Sequence, residues 1–466
     1  MFEITPDLDR SKSTSLYIQL YEYIKKEIQS GGIKAETKLP SKRKLSNHLG
    51  ISQNTVEAAY QQLNAEGYVE TKSRKGIFVN KLEEDTILFQ SPETPYIKEG
   101  NDEKKYKIDF NHGKVDLEHF PFSIWRKLTQ QSLYFEEREL FLSGEPQGEV
   151  LLREEIAKYL FQSRGVRCAR DQVIIGAGTQ YLIGLLCLVI GKELTYSMED
   201  PGFHRIRTVL EDQGVGLKHI PLDEEGISIS HLKDSNARIV YVTPSHQFPN
   251  GNVMPITRRM ELLKWAEEKN GYIIEDDYDG EFRHVGKPIP SLQGLDAHGR
   301  VIYLGTFSKS LIPSIRISYV ILPPDLARKY HERFQLYKQT VSRLNQNTLY
   351  QFMLDGHWER HLNKMRNIYR RKHTVLLSSI EKNFNNLVTI IGDKSGLHIL
   401  LEVHNNMSED ELIRTAAMKD IRVYPTTIYQ QNKDKIQQPK ILLGYGGLTE
   451  LQIEEGIRLL KKAWFI

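Results

Sequence analysis

Lys309 lies in a loop of small residues, Gly305-Thr-Phe-Ser-Lys-Ser310, and Arg316 follows seven positions later. The run before it, Val301-Ile-Tyr-Leu304, reads as a strand that delivers the lysine. A lysine amine condenses with an aldehyde, and an arginine one short loop away can clamp a phosphate. Taken alone, the stretch is equally well a surface loop with two ordinary cations. Upstream, Gly271-Tyr-Ile-Ile-Glu-Asp-Asp-Tyr-Asp279 places acidic residues at the C-terminal end of a short apolar run, where open α/β sheets put ligands. Three carboxylates beside a strand also suit magnesium, but no nucleotide-phosphate loop accompanies them, and no metal is expected. Val173-Ile-Ile-Gly-Ala-Gly-Thr-Gln180 runs from strand through glycines into an apolar helix, so bare N–H groups of Gly178, Thr179 and Gln180 can meet a phosphate. Glu199-Asp-Pro-Gly-Phe203 offers a flat ring, although Phe203 by itself reads as a core aromatic.

An aldehyde-reactive lysine, a carboxylate, a phosphate cradle and a flat ring together suit pyridoxal 5′-phosphate, whose ring nitrogen must stay protonated to draw electrons. In this order the segments resemble the fold-type I aminotransferases: Gly176-Ala-Gly-Thr-Gln180, Glu199 to Phe203, Thr243-Pro-Ser-His-Gln-Phe-Pro-Asn-Gly251, Ile274 to Tyr278, and Thr306-Phe-Ser-Lys-Ser310 with Arg316. The resemblance implies Lys309 as the catalytic, cofactor-linked lysine and Asp276 as the pyridinium partner. It also implies Tyr278 at the phenolic oxygen, Phe203 as the stacking ring, and Gly178, Thr179, Gln180 and Arg316 around the phosphate.

Departures from that pattern bear on turnover. The family's Asn-Pro-Thr-Gly asparagine is replaced by Phe248. Asp276 and Tyr278 are two apart rather than three, so Glu275 stands as an alternative partner for the ring nitrogen. The C-terminal arginine that holds a substrate carboxylate is replaced by Leu442 in Ile441-Leu-Leu-Gly-Tyr445. A leucine cannot make the bidentate pair that orients an amino acid, and efficient transamination is not expected.

The N-terminal segment supplies a second function. Leu16, Leu20, Ile24 and Ile28 form one helical stripe ended by Gly31-Gly32. Ser41 is placed to cap a helix to Leu49, Gly50 to make a turn, and Ser52 to cap a second helix through Ala65. In this helix–turn–helix spacing Gln53, Asn54 and Thr55 start the second helix, where side chains reach base edges. Tyr68–Thr71 and Gly76–Val79 then read as a hairpin, a wing whose tip carries Lys72, Arg74 and Lys75. The segment, with its Leu-Pro-Ser-x-Arg stretch, resembles the winged helix of GntR-type regulators, which implies DNA contacts from Lys42, Arg43, Ser52, Gln53, Asn54, Thr55, Arg74 and Lys75. A winged helix joined to an aminotransferase-like body looks like the MocR/GabR subfamily.

The expected fold class is therefore α/β: a winged helix–turn–helix over 1–80, a polar linker over 81–105, and a fold-type I body over 106–466. Strands are expected at 173–176, 195–198, 239–243, 272–275 and 301–304, with helices near 326–340 and 358–382. The 466 residues are too many for one core, and a net charge of +3 leaves DNA affinity to local basic clusters. Two cysteines, Cys168 and Cys187, make no disulfide framework and suit a reducing cytoplasm. No apolar run is long enough for a membrane span. The function expected is transcriptional regulation, with the body sensing an amine or amino acid that displaces Lys309 and persists as an external aldimine. By subfamily resemblance γ-aminobutyrate leads as effector, with pyridoxal phosphate itself possible, and a homodimer with swapped heads is implied. Arg205 is the first candidate for the effector carboxylate and Arg422 the second. The alternative is a working aminotransferase with an attached DNA-binding head.

Overall fold

The computed structural model describes residues 4–11, 14–81, 105–284, 289–334, 336–431 and 438–465. It divides into two compact units, Met1–Lys104 and Lys105–Ile466. The linker expected over 81–105 lies, from 82 to 104, outside the described residues.

In the first unit, helix Leu16–Gln29 buries Leu20, Ile24 and Ile28 against the core also built from Leu45, Val56, Tyr60 and Leu63. Helix Lys42–Leu49 begins at Ser41, whose side chain accepts from the Lys44 N–H, and ends at Gly50 with φ 62°. That left-handed turn suits glycine and sets the angle to helix Gln53–Ala65, capped by Ser52. Strands Val69–Lys72 and Gly76–Val79 pair antiparallel, with Val69 opposite Val79 and Lys72 opposite Gly76. Arg74 and Lys75 sit exposed in the turn between them.

The second unit is centred on an eight-stranded sheet. Its order is Val173–Gly176, Ser318–Ile321, Val301–Thr306, Tyr272–Asp277, Ile239–Val242, Thr195–Asp200, Gly216–Asp223 and Gly226–Ile227. The central strands from 301–306 to 216–223 are parallel, and 318–321 runs antiparallel to both of its neighbours. All five expected strands are present, and those at 173–176, 239–242 and 301–306 are largely apolar runs buried on both faces. Parallel order brings the C-terminal ends of 195–200, 272–277 and 301–306 to one edge, which positions the site.

A smaller antiparallel sheet orders Val388–Ile391, His398–Val403, Lys440–Gly444 and Tyr424–Pro425. The 28-residue helix His357–Phe384 and the C-terminal helix Glu450–Trp464 share a core with it and with Ile108 and Phe110. The helix expected near 326–340 is shorter, Pro324–Arg333, and the next described helix is Arg343–Leu354. Its apolar stripe Leu326, Ala327, Tyr330 ends at Phe334, and Leu336 beyond it is 91% exposed, so no further turn has a core to face.

Candidate functional site

The apolar strand Val301–Thr306 and the antiparallel return 318–321 hold the loop bearing Lys309 and Arg316 over the sheet edge. A cavity of about 230 Å³ opens there. It brings together Lys309, Asp276, Tyr278, Phe203, Thr179, Gln180, Arg316 and Arg205 from the sequence expectations. The Lys309 ammonium donates to the His112 carbonyl. Desolvation moves its pKa down to about 8, against the pull of Asp279 and with a smaller push from Arg205. A lysine held there has an appreciable neutral, nucleophilic fraction near neutral pH.

Strand alternation separates the three carboxylates of Glu275-Asp-Asp277. Glu275 turns away and accepts from the N–H groups of Leu292 and Gln293 at 2.7 and 2.9 Å, capping a short helix. Asp277 accepts from Arg164 and from the Tyr303 hydroxyl, both at 2.6 Å. Asp276 alone faces the cavity, so Glu275 is not the alternative ring partner that the two-residue spacing left open. Its Oδ2 accepts from Tyr241 at 2.5 Å, while Oδ1 is buried with no partner. Burial pushes this carboxyl up to about 7, so it lacks a positive group. Glu275 and Asp277, two apart on one face of the strand, are engaged by backbone N–H groups and by Arg164 and Tyr303, while Asp276 points to the other face.

At the opposite end, helix Thr179–Ile190 presents its N-terminus beside Gly178. Gly178 has φ 101°, and a Cβ there would lie 2.0 Å from Arg316 Nη2. Only glycine lets this guanidinium close on the helix N-terminus, where it contacts the Ala177 carbonyl at 3.4 Å. Ser308, which sequence reasoning passed over, lines the cavity with a buried hydroxyl that has no partner. A phosphate fits a dipole-bearing helix end with an arginine and an idle hydroxyl. An orphan carboxylate oxygen fits a pyridinium N–H, and Lys309 fits an aldehyde.

Other expectations fare differently. Phe203 lies in the cavity, but one of its faces is stacked on Phe248, with centroids 3.8 Å apart and planes at 5°. Leu442 is fully buried in an apolar cluster with Phe248, Tyr278, Leu400 and Tyr429, so no cation occupies that position. Arg205 is exposed at the cavity mouth. Arg422 is not among the cavity residues; its guanidinium lies over the rings of Tyr106 and Tyr424, held by the pairing of its strand with Ile108–Asp109. The cavity also takes in His112, His398 and Tyr429, from segments with no motif of their own. Burial, with the nearby charge of Lys309, holds His112 neutral, down to about 3.

In the head, Arg43, Gln53 and Asn54 are exposed. Lys42 is half-exposed and ion-paired with Glu57 within the domain. Ser52 accepts from the Thr55 N–H at 3.1 Å and meets the Thr55 hydroxyl at 2.8 Å, so both serve as a cap that orients the second helix.

The fold and the cavity define a pyridoxal-phosphate-dependent, aminotransferase-like body, and the same chain carries a winged helix. Residues 105–437 match the family model "Aminotransferase class I and II", and residues 16–79 match "Bacterial regulatory proteins, gntR family". The chain belongs to the MocR/GabR-like subfamily of GntR-type transcription regulators, and the cofactor of its body is pyridoxal phosphate. It is 48% identical to the uncharacterized HTH-type transcriptional regulator YdeL of Bacillus subtilis, across 100% of both chains. It is 32% identical to the probable rhizopine catabolism regulatory protein MocR of Rhizobium meliloti, covering 98% of this chain and 95% of that one. Among solved structures, it is similar to the α-aminoadipate aminotransferase LysN of Thermus thermophilus, complexed with N-(5′-phosphopyridoxyl)-L-leucine. The TM-score is 0.69 at 25% identity, over 77% of this chain and 92% of that one. The GntR-type head binds DNA, and no described helix is long and apolar enough to cross a membrane.

Proposed function

We propose that the chain is a regulator whose body senses an amine or amino acid at the cofactor and passes the binding event to the DNA-binding head. The observation that carries this reading is a contrast within one cavity. The groups that hold a reactive cofactor are kept, Lys309 and the unpartnered Asp276 oxygen, while the position of the substrate-orienting cation is the buried Leu442. Such a site captures amines without the bidentate grip that aligns an amino acid for turnover.

When bound, the cofactor supplies an aldehyde that exchanges amines and a ring that draws electrons. Lys309 would hold that aldehyde and is the amine with which an effector amine would compete. Asp276 keeps the ring nitrogen protonated, and Tyr278 donates to the phenolic oxygen. Phe203 stacks through the face that Phe248 leaves free, and Gly178, Thr179, Gln180 and Arg316 hold the phosphate, with Ser308 added. Arg205 holds the effector carboxylate at the cavity mouth, and the leading effector is γ-aminobutyrate. On DNA, Arg43, Arg74 and Lys75 meet phosphates while Gln53 and Asn54 face base edges.

The head is residues 1–80, the linker 81–105 and the body 106–466. The body pairs with a second copy, giving a homodimer with swapped heads in the cytoplasm. The support for pairing is apolar surface: Phe122, Phe135, Phe141 and Phe161 are each at least 62% exposed on neighbouring elements.

The test is the visible absorption spectrum of the loaded protein, titrated with γ-aminobutyrate and an amino-acid panel. A band that shifts with one amine and persists, and that no longer responds in Arg205→Gln, is expected. Amino-group transfer to a keto acid at enzymatic rates, abolished in Lys309→Ala, would establish the working aminotransferase instead.

A further inference from the structure

One buried constellation beside the cavity has no part in the account above. His246, on the loop after strand Ile239–Val242, is 2% exposed and offers a single nitrogen, Nδ1, to three oxygens. These are Asp279 Oδ2 at 2.9 Å, Asp279 Oδ1 at 3.1 Å and the Tyr278 hydroxyl at 2.9 Å. Its other nitrogen, Nε2, is buried and has no partner. Asp279 is likewise 2% exposed, and Gly396 presses the ring into place, since a Cβ there would lie 1.9 Å from the imidazole.

A proton on Nδ1, in the neutral ring or in the imidazolium, is the arrangement in which no lone pair faces the carboxylate. With its proton on Nε2, the Nδ1 lone pair would face two carboxylate oxygens, which is repulsive, and Tyr278 would donate its hydrogen to the imidazole. With the proton on Nδ1, the ring donates to Asp279 and cannot accept from Tyr278. The tyrosine hydrogen is then free to point elsewhere, and Tyr278 lines the cavity. We infer that Asp279 and His246 are a positioning pair that aims the Tyr278 hydroxyl as a donor at the phenolic oxygen of the cofactor. The inference rests on the cofactor reading of Tyr278 given above. It also gives Phe248 a consequence: where the family has an asparagine at that oxygen, this chain has a phenyl ring, so the tyrosine's orientation matters more.

The surrounding charges are compatible with this role. Burial, then Asp279, Asp276 and Glu199, hold the Tyr278 hydroxyl well above its ordinary range, so it stays a neutral donor. His398, 4.8 Å from the His246 ring, is kept neutral by burial. Lys309 feels Asp279 as a stabilising charge and Arg205 as an opposing one. Removing the Asp279 charge by direct field alone would therefore lower the proton affinity of a nitrogen at Lys309. Losing the tyrosine donor does the opposite: an oxygen deprived of its hydrogen bond makes the lysine–cofactor linkage keep its proton to higher pH. The two mechanisms have opposite signs.

The experiment is a spectrophotometric pH titration of the pyridoxal-phosphate-loaded protein, with Asp279→Asn, Tyr278→Phe and the double variant. The pair predicts that each single variant raises the midpoint of the visible band, Asp279→Asn by about one pH unit, a tenfold change in proton affinity. The double variant should lie no higher than Tyr278→Phe, because without the tyrosine only the direct field of Asp279 is left to lose. A lowered or unchanged midpoint in Asp279→Asn, or full additivity in the double variant, overturns the proposal. Nitrogen NMR of the cofactor-free parent, labelled at histidine, gives a second reading that needs no variant to fold. His246 should carry a proton on Nδ1, and a ring protonated only at Nε2 overturns the pair. A parent that takes up no pyridoxal phosphate overturns the cofactor reading first, and is distinguishable from a wrong tautomer.

Discussion

Asp276→Asn separates cofactor affinity from fold stability. In the protein without cofactor, burial pushes this carboxyl up to about 7, while in the unfolded chain it titrates near 4. Between those values the folded state binds one proton more, so stability falls as pH rises through this window, and the ionised group costs about 4 kcal/mol above it. Asparagine keeps an oxygen for the Tyr241 hydroxyl, which lies 2.5 Å from Oδ2, and removes the titration. Its N–H₂ takes the place of the unpartnered Oδ1 and leaves a donor unsatisfied, a pH-independent cost of about 1–3 kcal/mol. Glu275 and Glu281 are also raised to about 7 by burial, but both proteins share them and they cancel in the comparison, while Glu199, at about 7 chiefly by burial, loses only its smallest contribution, the repulsion from Asp276. Denaturant unfolding of the cofactor-free body should therefore show the variant losing less stability than the parent between about pH 5 and about pH 8, by roughly 2–3 kcal/mol. The same variant should bind pyridoxal phosphate about 10–100-fold more weakly, because a charge-assisted hydrogen bond of about 1.5–3 kcal/mol is gone. An unchanged pH slope would show that Asp276 is not a desolvated carboxylate in the fold. Unchanged cofactor affinity would remove it from the ring nitrogen.

Gly178→Ala places a Cβ against the Arg316 guanidinium in a backbone conformation that L-residues rarely adopt, so Arg316 must move off the helix end. Pyridoxal phosphate affinity should fall by about tenfold or more with DNA binding by the head retained, and equal affinity in a cofactor titration would place the phosphate elsewhere. Arg43→Ala should weaken operator binding and reduce the slope of log affinity against log salt by about 0.9, one phosphate contact. Lys42→Ala should change that slope less, because Lys42 is already paired with Glu57; equal slopes for the two variants would show that DNA breaks the pair.

The elements, and the lysine and carboxylate that the structure gathers in one cavity, are written in local pattern. Apolar runs at 173–176, 239–242 and 301–304 are strands because no other conformation buries them on both faces. Ser41, Gly50 and Ser52 make the helix–turn–helix through caps and a left-handed turn that involve only near neighbours. Lys309 and Asp276 were legible for the same reason: each sits at the end of such a run. Direction and company were decided only by the tertiary structure. Strand alternation shows that neighbouring carboxylates diverge, but it takes the packing of Arg164, Leu292 and Tyr241 to show which one is left without a partner. Arg422 looked like a ligand-binding cation, and a strand pairing between residues more than 300 positions apart draws it onto two tyrosine rings. His112 and Tyr429 carry no signal in one dimension, and the pairing of His246 with Asp279 is equally invisible there although both lie in recognised segments, because it arises only when loops from distant segments are pressed together at the sheet edge. A buried polar atom is informative through what it lacks, and that deficit exists only once the chain has excluded water from it.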